Sequence, residues 1–276
     1  MKTDLTQDQI EYYRRDGCLL YPNFLEPDEL KALSDAVDRS VEQMGDRRIT
    51  DEGADHIADT AREKESDGWY GRVFLQRLNL YRIDETVRRI MLDPELGKML
   101  CELEGIDGIR VWHDQTLQKR PWDNPTSWHM DCPNWSFHHP NAISIWIALD
   151  DATIQNGCMY YLPGSHKVAQ WEKKGGFSPH VGALFDEYPE LTKVYPVPAV
   201  LKAGDAGFHN GLTAHGAGPN MSPTMRRGMT CAYMPDGATF NGKQNILPRD
   251  YFESLTEGDA LDDDEQNPLI WSTACA

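Results

Sequence analysis

Apolar positions recur at helical spacing through the first third of the chain and at alternating spacing through the middle. Thr6-Gln7-Asp8-Gln9 has the spacing of a capping box, and Ile10 and Tyr13 continue a helical face that ends at Asp16-Gly17. Cys18-Leu19-Leu20-Tyr21 is an apolar run of strand length, closed by Pro22-Asn23. From Pro27 to about Gln43, Leu30, Leu33, Ala36 and Val37 repeat at helical intervals. Acidic residues occupy the first turn, where the helix dipole favours them. A second stripe runs from Glu85 to Glu104 through Val87, Ile90, Leu96, Met99, Leu100 and Leu103, and Pro94 marks the start of a separate helix.

After Gly105 the pattern shortens. Ile109 to His113, Ile143 to Leu149, Gly157 to Leu162 and Met229 to Tyr233 are rich in β-branched and aromatic residues and are separated by Pro, Gly, Asn and Asp. Helices gathered first and strands afterwards argue against alternating βαβ units. They predict a mainly β protein with flanking α-helices, a sandwich or jelly roll. Between Gly45 and Gly71 charged residues dominate and too few apolar ones remain for a packed face. That stretch reads as a solvated surface insertion or as a lid over a site.

Charge narrows the partners. With 27 basic and 44 acidic residues the formal net charge is −17, which repels phosphate backbones and anionic membrane surfaces. Neither nucleic acid nor a membrane is therefore expected as a partner. No apolar run reaches bilayer-spanning length, the start carries no apolar signal region, and the expected location is cytoplasmic. The six cysteines are scattered without a Cys-x-x-Cys pair, so neither a zinc knuckle nor a disulfide framework is indicated. Cys132 is expected to be a buried, inert thiol.

The candidate chemistry lies in Trp128-His129-Met130-Asp131, read with the distant His215. On a strand, alternate side chains share a face, so His129 and Asp131 would converge while Met130 turns away. A third ligand from a remote strand would complete a two-histidine, one-carboxylate facial triad, which leaves open positions and suits non-haem Fe(II). An isolated His-x-Asp also occurs on solvated strands without a metal.

Several segments in order resemble the phytanoyl-CoA dioxygenase family. They are Trp128 to Asp131, Trp146 to Asp151, Asn156 to Lys167 with its Pro-Gly-Ser-His turn, and Gly204-Asp205 leading to His215 through Asn220 and on to Arg226. The resemblance implies one Fe(II)- and 2-oxoglutarate-dependent oxygenase domain over 1–276. Its parts would be a helical region of about 1–105, a double-stranded β-helix (cupin-like jelly roll) of about 106–240 and an extension of about 241–276. It also implies that His129, Asp131 and His215 hold the metal, that Arg226 binds the distal carboxylate of 2-oxoglutarate, and that O2 is consumed. A carboxylate taken into a barrel loses its hydration, and a fixed guanidinium fork restores charge and hydrogen bonds together. Arg227 competes for that role, and alternation lets only one of the two face inward.

Ser144, Trp146, Gln115 and Thr126 are further cosubstrate-pocket candidates, each equally explained by barrel packing. Ala217 departs from the family pattern, which often has a serine there, and a hydrogen bond must then come from another group such as Ser144. His166 is expected to fix a loop, His138 and His139 to be exposed, and His113 and His209 to be structural. Trp112, Trp122, Trp128 and Trp135 are expected to crowd about the site. Because Asp131 is present, where related halogenases carry a small residue, C–H hydroxylation is favoured over halogenation. Two other readings stay open: a cupin-like metalloenzyme that does not use 2-oxoglutarate, and a non-catalytic small-molecule-binding barrel.

Overall fold

A computed structural model describes residues 1–50, 68–173 and 175–274. The charged stretch expected to be an insertion or lid falls mostly on 51–67, outside the described residues.

The first helix, α1 (Gln7–Asp16), starts at Thr6 with the capping box complete and ends at Gly17 in the left-handed region, φ 77°. Gly17 is needed there for a second reason. A Cβ would meet His166 Nδ1 and Thr213 Oγ1, each at 2.4 Å, so helix end, His166 turn and strand approach pack through a bare backbone. Strand β1 (Cys18–Tyr21) follows, then α2 (Pro27–Met44) with Pro27 in its first turn. Strand β2 (Leu75–Leu78) precedes α3 (Glu85–Met91) and α4 (Pro94–Glu104). Asp93 caps α4 by accepting from the Glu95 and Leu96 amides, which separates the two helices where Pro94 predicts the break.

The remaining strands are β3 (Gly108–Lys119), β4 (Thr126–His129), β5 (Ile143–Ala148), β6 (Met159–Tyr161), β7 (Val197–Ala199), β8 (Ala206–Asn210), β9 (His215–Ala217), β10 (Arg226–Pro235) and β11 (Leu269–Ser272). Among the described residues they form two antiparallel sheets. The larger runs β1-β8-β5-β10-β3-β11, with β2 also on β3, and the smaller runs β4-β9-β6-β7. This is the jelly roll.

The sheet draws on both flanks of the chain. β1 and β2 come from the part read as helical, and β11 comes from the part read as an extension. β2 pairs with Gln115–Gln118 of β3 and β11 with its opening residues, so the two share one edge. Short strands such as β7, β8 and β9 escaped sequence reading because three to five residues give too little alternation to register.

Alternation decides what each face does. On β5, Ile143, Ile145 and Ile147 point outward into the main core with Leu33 and Val37 of α2, Ile90 of α3 and Leu100 of α4. Met229, Cys231 and Tyr233 of β10 join them. The intervening residues of both strands face the space between the sheets, which holds the candidate site.

Candidate metal centre and cosubstrate pocket

Between the sheets lies a cavity of about 500 Å³. Its floor is set by register across the larger sheet. His209 of β8 pairs with Ser144 of β5, Ser144 with Ala232 of β10, and Ala232 with His113 of β3. The next inward row carries Trp146, Thr230 and Gln115. Directly paired residues in an antiparallel ladder share a face, so one row of polar side chains enters the cavity together.

The opposite wall comes from the smaller sheet. His129 ends β4 and pairs with His215, the first residue of β9, and their ring centres are 4.2 Å apart. Asp131 lies beyond the strand, at the entry to a one-turn helix over Cys132–Asn134. Simple strand alternation therefore does not carry it to the site. The chain bends at Asp131, just after the fully buried Met130, and the bend brings the carboxylate back toward both imidazoles. The donor atoms of His129, Asp131 and His215 lie within 4.8 Å of one another.

The protonation pattern suits a cation. His129 Nδ1–H donates to the Ser127 carbonyl at 2.8 Å, and His215 Nδ1–H donates to the Thr213 carbonyl at 2.9 Å. A carbonyl only accepts, so each ring carries a proton on Nδ1 and turns Nε2 toward the Asp131 Oδ1, 3.5 and 3.8 Å away. Burial, then the neighbouring His129, hold His215 well below the usual imidazole range. Burial alone would raise the Asp131 carboxyl, but His215 with His129 and His209 outweighs it and holds the group well below the carboxylate range. With its Nε2 proton released, each imidazole would offer a metal that nitrogen beside an ionised carboxylate.

His209 was expected to hold a hydrogen-bonded structural place at the barrel wall, and its hydrogen bond falls on the metal cluster itself. Its Nε2 lies 3.3 Å from Asp131 Oδ2 and its ring centre is 4.4 Å from that of His215. The periodicity of a five-residue strand gave no warning of it. His113 also lines the cavity, and burial lowers it to about 4.

Arg226 opens β10 and is 3% exposed. Its Nη1 donates to the Leu117 carbonyl at 3.3 Å and its buried Nε has no protein partner. Burial lowers it to about 10, so it stays charged at neutral pH. The guanidinium lies 5.2 Å from the centre of the Trp146 ring. That indole lies over Gly228, where a Cβ would stand 2.3 Å from its Cζ2. Lys119 pairs with Arg226 across the ladder, and burial followed by repulsion from Arg226 lowers its amine to about 7. Arg227 points the other way, onto Asp150 and Asp38.

Ser144, Trp146, Gln115 and Thr126 all line the cavity, as does Ala217 at the position where the family pattern often has a serine. Of the four tryptophans expected to crowd the site, only Trp135 lines it. Trp112 is buried against Phe137, Trp122 is 65% exposed and Trp128 packs on Phe185. The aromatic wall is instead Tyr70, Phe74 and Phe177, which sequence reasoning missed because they stand in a one-turn helix and in loops, too short or irregular to show a period. Cys132 is buried and its thiol is pushed up to about 12, which leaves it inert. His138 is exposed and stacks on Trp171, and His139 is half-buried rather than exposed.

A jelly roll with a His-Asp-His cluster and a buried arginine in one cavity defines the non-haem iron, 2-oxoglutarate-dependent dioxygenases. Residues 13–228 match the family described as Phytanoyl-CoA dioxygenase (PhyH), and the chain belongs to it. Peroxisomal phytanoyl-CoA dioxygenase of Mus musculus is 25% identical over 241 residues, covering 83% of this chain and 68% of that protein. The solved structure of the non-haem alpha ketoglutarate dependent carbocyclase SnoK from nogalamycin biosynthesis is 26% identical, with a TM-score of 0.78 and 97% of each chain covered. The epimerase SnoN, solved in complex with Fe3+, alpha ketoglutarate and nogalamycin RO, is 25% identical with a TM-score of 0.72, covering 96% of this chain and 98% of that one.

Proposed function

We propose that the chain acts as a single oxygenase domain over 1–276 that hydroxylates an unactivated C–H bond of a small metabolite or natural product. In this reading His129, Asp131 and His215 hold Fe(II), Arg226 binds the distal carboxylate of 2-oxoglutarate, and O2 is the oxidant. The observation that carries it is the meeting of three metal donors and one buried, incompletely partnered guanidinium in the same cavity. The solved complex of SnoN with iron and alpha ketoglutarate supports it.

When bound, iron and the keto acid supply oxidation of a C–H bond by O2, with the keto acid leaving as succinate and CO2. The protein's part is to hold and shape. The Ser127 and Thr213 carbonyls fix the tautomer of both imidazoles. His209 Nε2–H holds Asp131 Oδ2, so that Oδ1 is the oxygen turned toward the two imidazole nitrogens. Arg226 supplies charge and a fork to a carboxylate that has lost its water, and the Trp146 ring stands beside that fork, 5.2 Å from it. Ser144, whose hydroxyl has no hydrogen bond among the described residues, would supply the group that Ala217 lacks; Gln115 and Thr126 are polar groups of the same pocket. Aromatic walls keep the oxidised carbon away from bulk water.

Five of the six cysteines are free and buried, in keeping with a reducing, cytoplasmic setting, and no described helix is long and apolar enough to cross a membrane. The test is anaerobic loading with Fe(II) and 2-oxoglutarate followed by O2. Formation of succinate is expected. Metal-dependent turnover that needs no keto acid would favour the cupin-like metalloenzyme, and binding of both cofactors without succinate from any substrate would favour a binding barrel.

A further inference from the structure

A second guanidinium enters the cavity. Arg48 lines it, and its Nη2 donates to two neutral groups, the Tyr70 hydroxyl and Gln76 Oε1. Its Nε is buried without a partner, and no carboxylate of the described residues pairs with it. Gln76 Nε2 in turn donates to Gln115 Oε1, so Arg48 is braced against the floor of the cavity rather than free to swing away.

Charge within the cavity is unbalanced. Among the described lining residues Asp131 is the sole carboxylate, in a chain that is otherwise strongly acidic. A divalent ion beside Asp131 carries one net positive charge, and dianionic 2-oxoglutarate beside Arg226 carries one net negative charge. Those cancel. Arg48 is half-buried, with its Nε buried and no carboxylate partner among the described residues, so an anionic ligand would supply the charge that the described lining does not.

The path from the metal cluster to Arg48 is aromatic. Phe177 lies 5.1 Å from the His129 ring, Tyr70 lies 5.6 Å from Phe177, and the Arg48 guanidinium sits 4.5 Å over Tyr70. Phe74 backs Tyr70 at 5.4 Å. A ligand held between the two ends would lie along ring faces and edges for its whole length.

We propose that Arg48 is the specificity-determining residue of the substrate subsite. It receives a carboxylate, enolate or phenolate oxygen of a ring-bearing substrate whose apolar body rests on Tyr70, Phe74 and Phe177. This rests on the oxygenase reading and names its substrate class.

The test uses the whole protein, loaded anaerobically with Fe(II) and saturating 2-oxoglutarate, and titrates it calorimetrically with 1-naphthoate and with its uncharged twin 1-naphthamide. Naphthoate is expected to bind at least tenfold more tightly, the scale of one charge-assisted hydrogen bond. Arg48→Gln should abolish that preference by weakening naphthoate alone, and Arg48→Lys should retain part of it. Equal binding of the two probes, a preference that survives in Arg48→Gln, or no binding of either at millimolar concentration overturns the proposal. A separate titration with 2-oxoglutarate reads the metal and cosubstrate site, so its failure is distinguished from failure of the anion subsite.

Discussion

Arg226 and Arg227 are neighbours in sequence and face opposite sides of one strand. The first is buried in the cavity beneath Trp146, and the second is tied to Asp150 and Asp38 on the outside. A strand turns successive side chains to opposite faces, so two identical residues acquire unrelated tasks.

Replacing each arginine separates those tasks. Arg226→Ala should weaken 2-oxoglutarate binding by about 2 to 5 kcal/mol, the cost of leaving a buried charge without its partner. Arg227→Ala should leave cosubstrate affinity unchanged and cost at most about 1 kcal/mol of stability, because its ion pairs are partly solvated. Anaerobic calorimetry with 2-oxoglutarate checks both, and equal losses in the two variants would reverse the assignment.

His129→Ala and His215→Ala should each abolish stoichiometric iron binding. Two remaining donors hold a divalent ion far less firmly than three arranged on one face. Iron content measured after anaerobic loading and desalting decides it. A variant that keeps a full equivalent has lost a residue that is no ligand.

His209 acts through Asp131, as a positioning residue. His209→Ala should lower iron affinity by about 10- to 100-fold, the usual effect of removing a group that orients a ligand. His209→Gln, which keeps an N–H donor, should recover part of that loss. An iron titration unchanged in both variants removes His209 from the centre.

Gly228→Ala tests the seat of Trp146. The added methyl would stand 2.3 Å from the indole, so the ring must move and the Arg226 guanidinium loses its support. The expected cost is about 1 to 3 kcal/mol of stability from overpacking. A raised 2-oxoglutarate requirement should accompany it, and thermal melting with a cosubstrate titration reads both.

Glu104 gives a pH signature. Burial pushes its carboxyl up to about 7, only partly offset by donation from Tyr13, Asn210 and Asn141. A carboxyl with a folded pKa above its unfolded value holds its proton preferentially in the folded state. Stability from this group is therefore complete below the ordinary carboxylate range and is lost as pH rises through about 7. Glu104→Gln should flatten the decline in melting temperature between about pH 5 and about pH 8. A parallel pair of pH profiles would show that Glu104 contributes nothing to it.

Elements whose signal is local could be read in advance. Thr6 with Gln9, Asp16 with Gly17, and Pro94 after its capping Asp93 mark helix ends through contacts within a few residues. The alternation Ile143-Ser144-Ile145-Trp146-Ile147 marks a strand buried on both faces, with isoleucines toward the helices and Ser144 and Trp146 toward the cavity. His209 and Arg48 could not be read that way. One sits on a five-residue strand and the other in a loop, and neither position has a period.

By itself the sequence determined the β-rich class, the helix boundaries and the likeness that assembled His129, Asp131, His215 and Arg226 into one hypothesis. Tertiary structure alone decided that Asp131 reaches the imidazoles through a turn rather than along a strand, that His209 braces it, and that Arg48 shares the cavity with no carboxylate partner among the described residues. The physical reason is range. Caps and alternation are set by neighbours a few residues apart, whereas a site is made by packing that closes distances of tens to hundreds of residues.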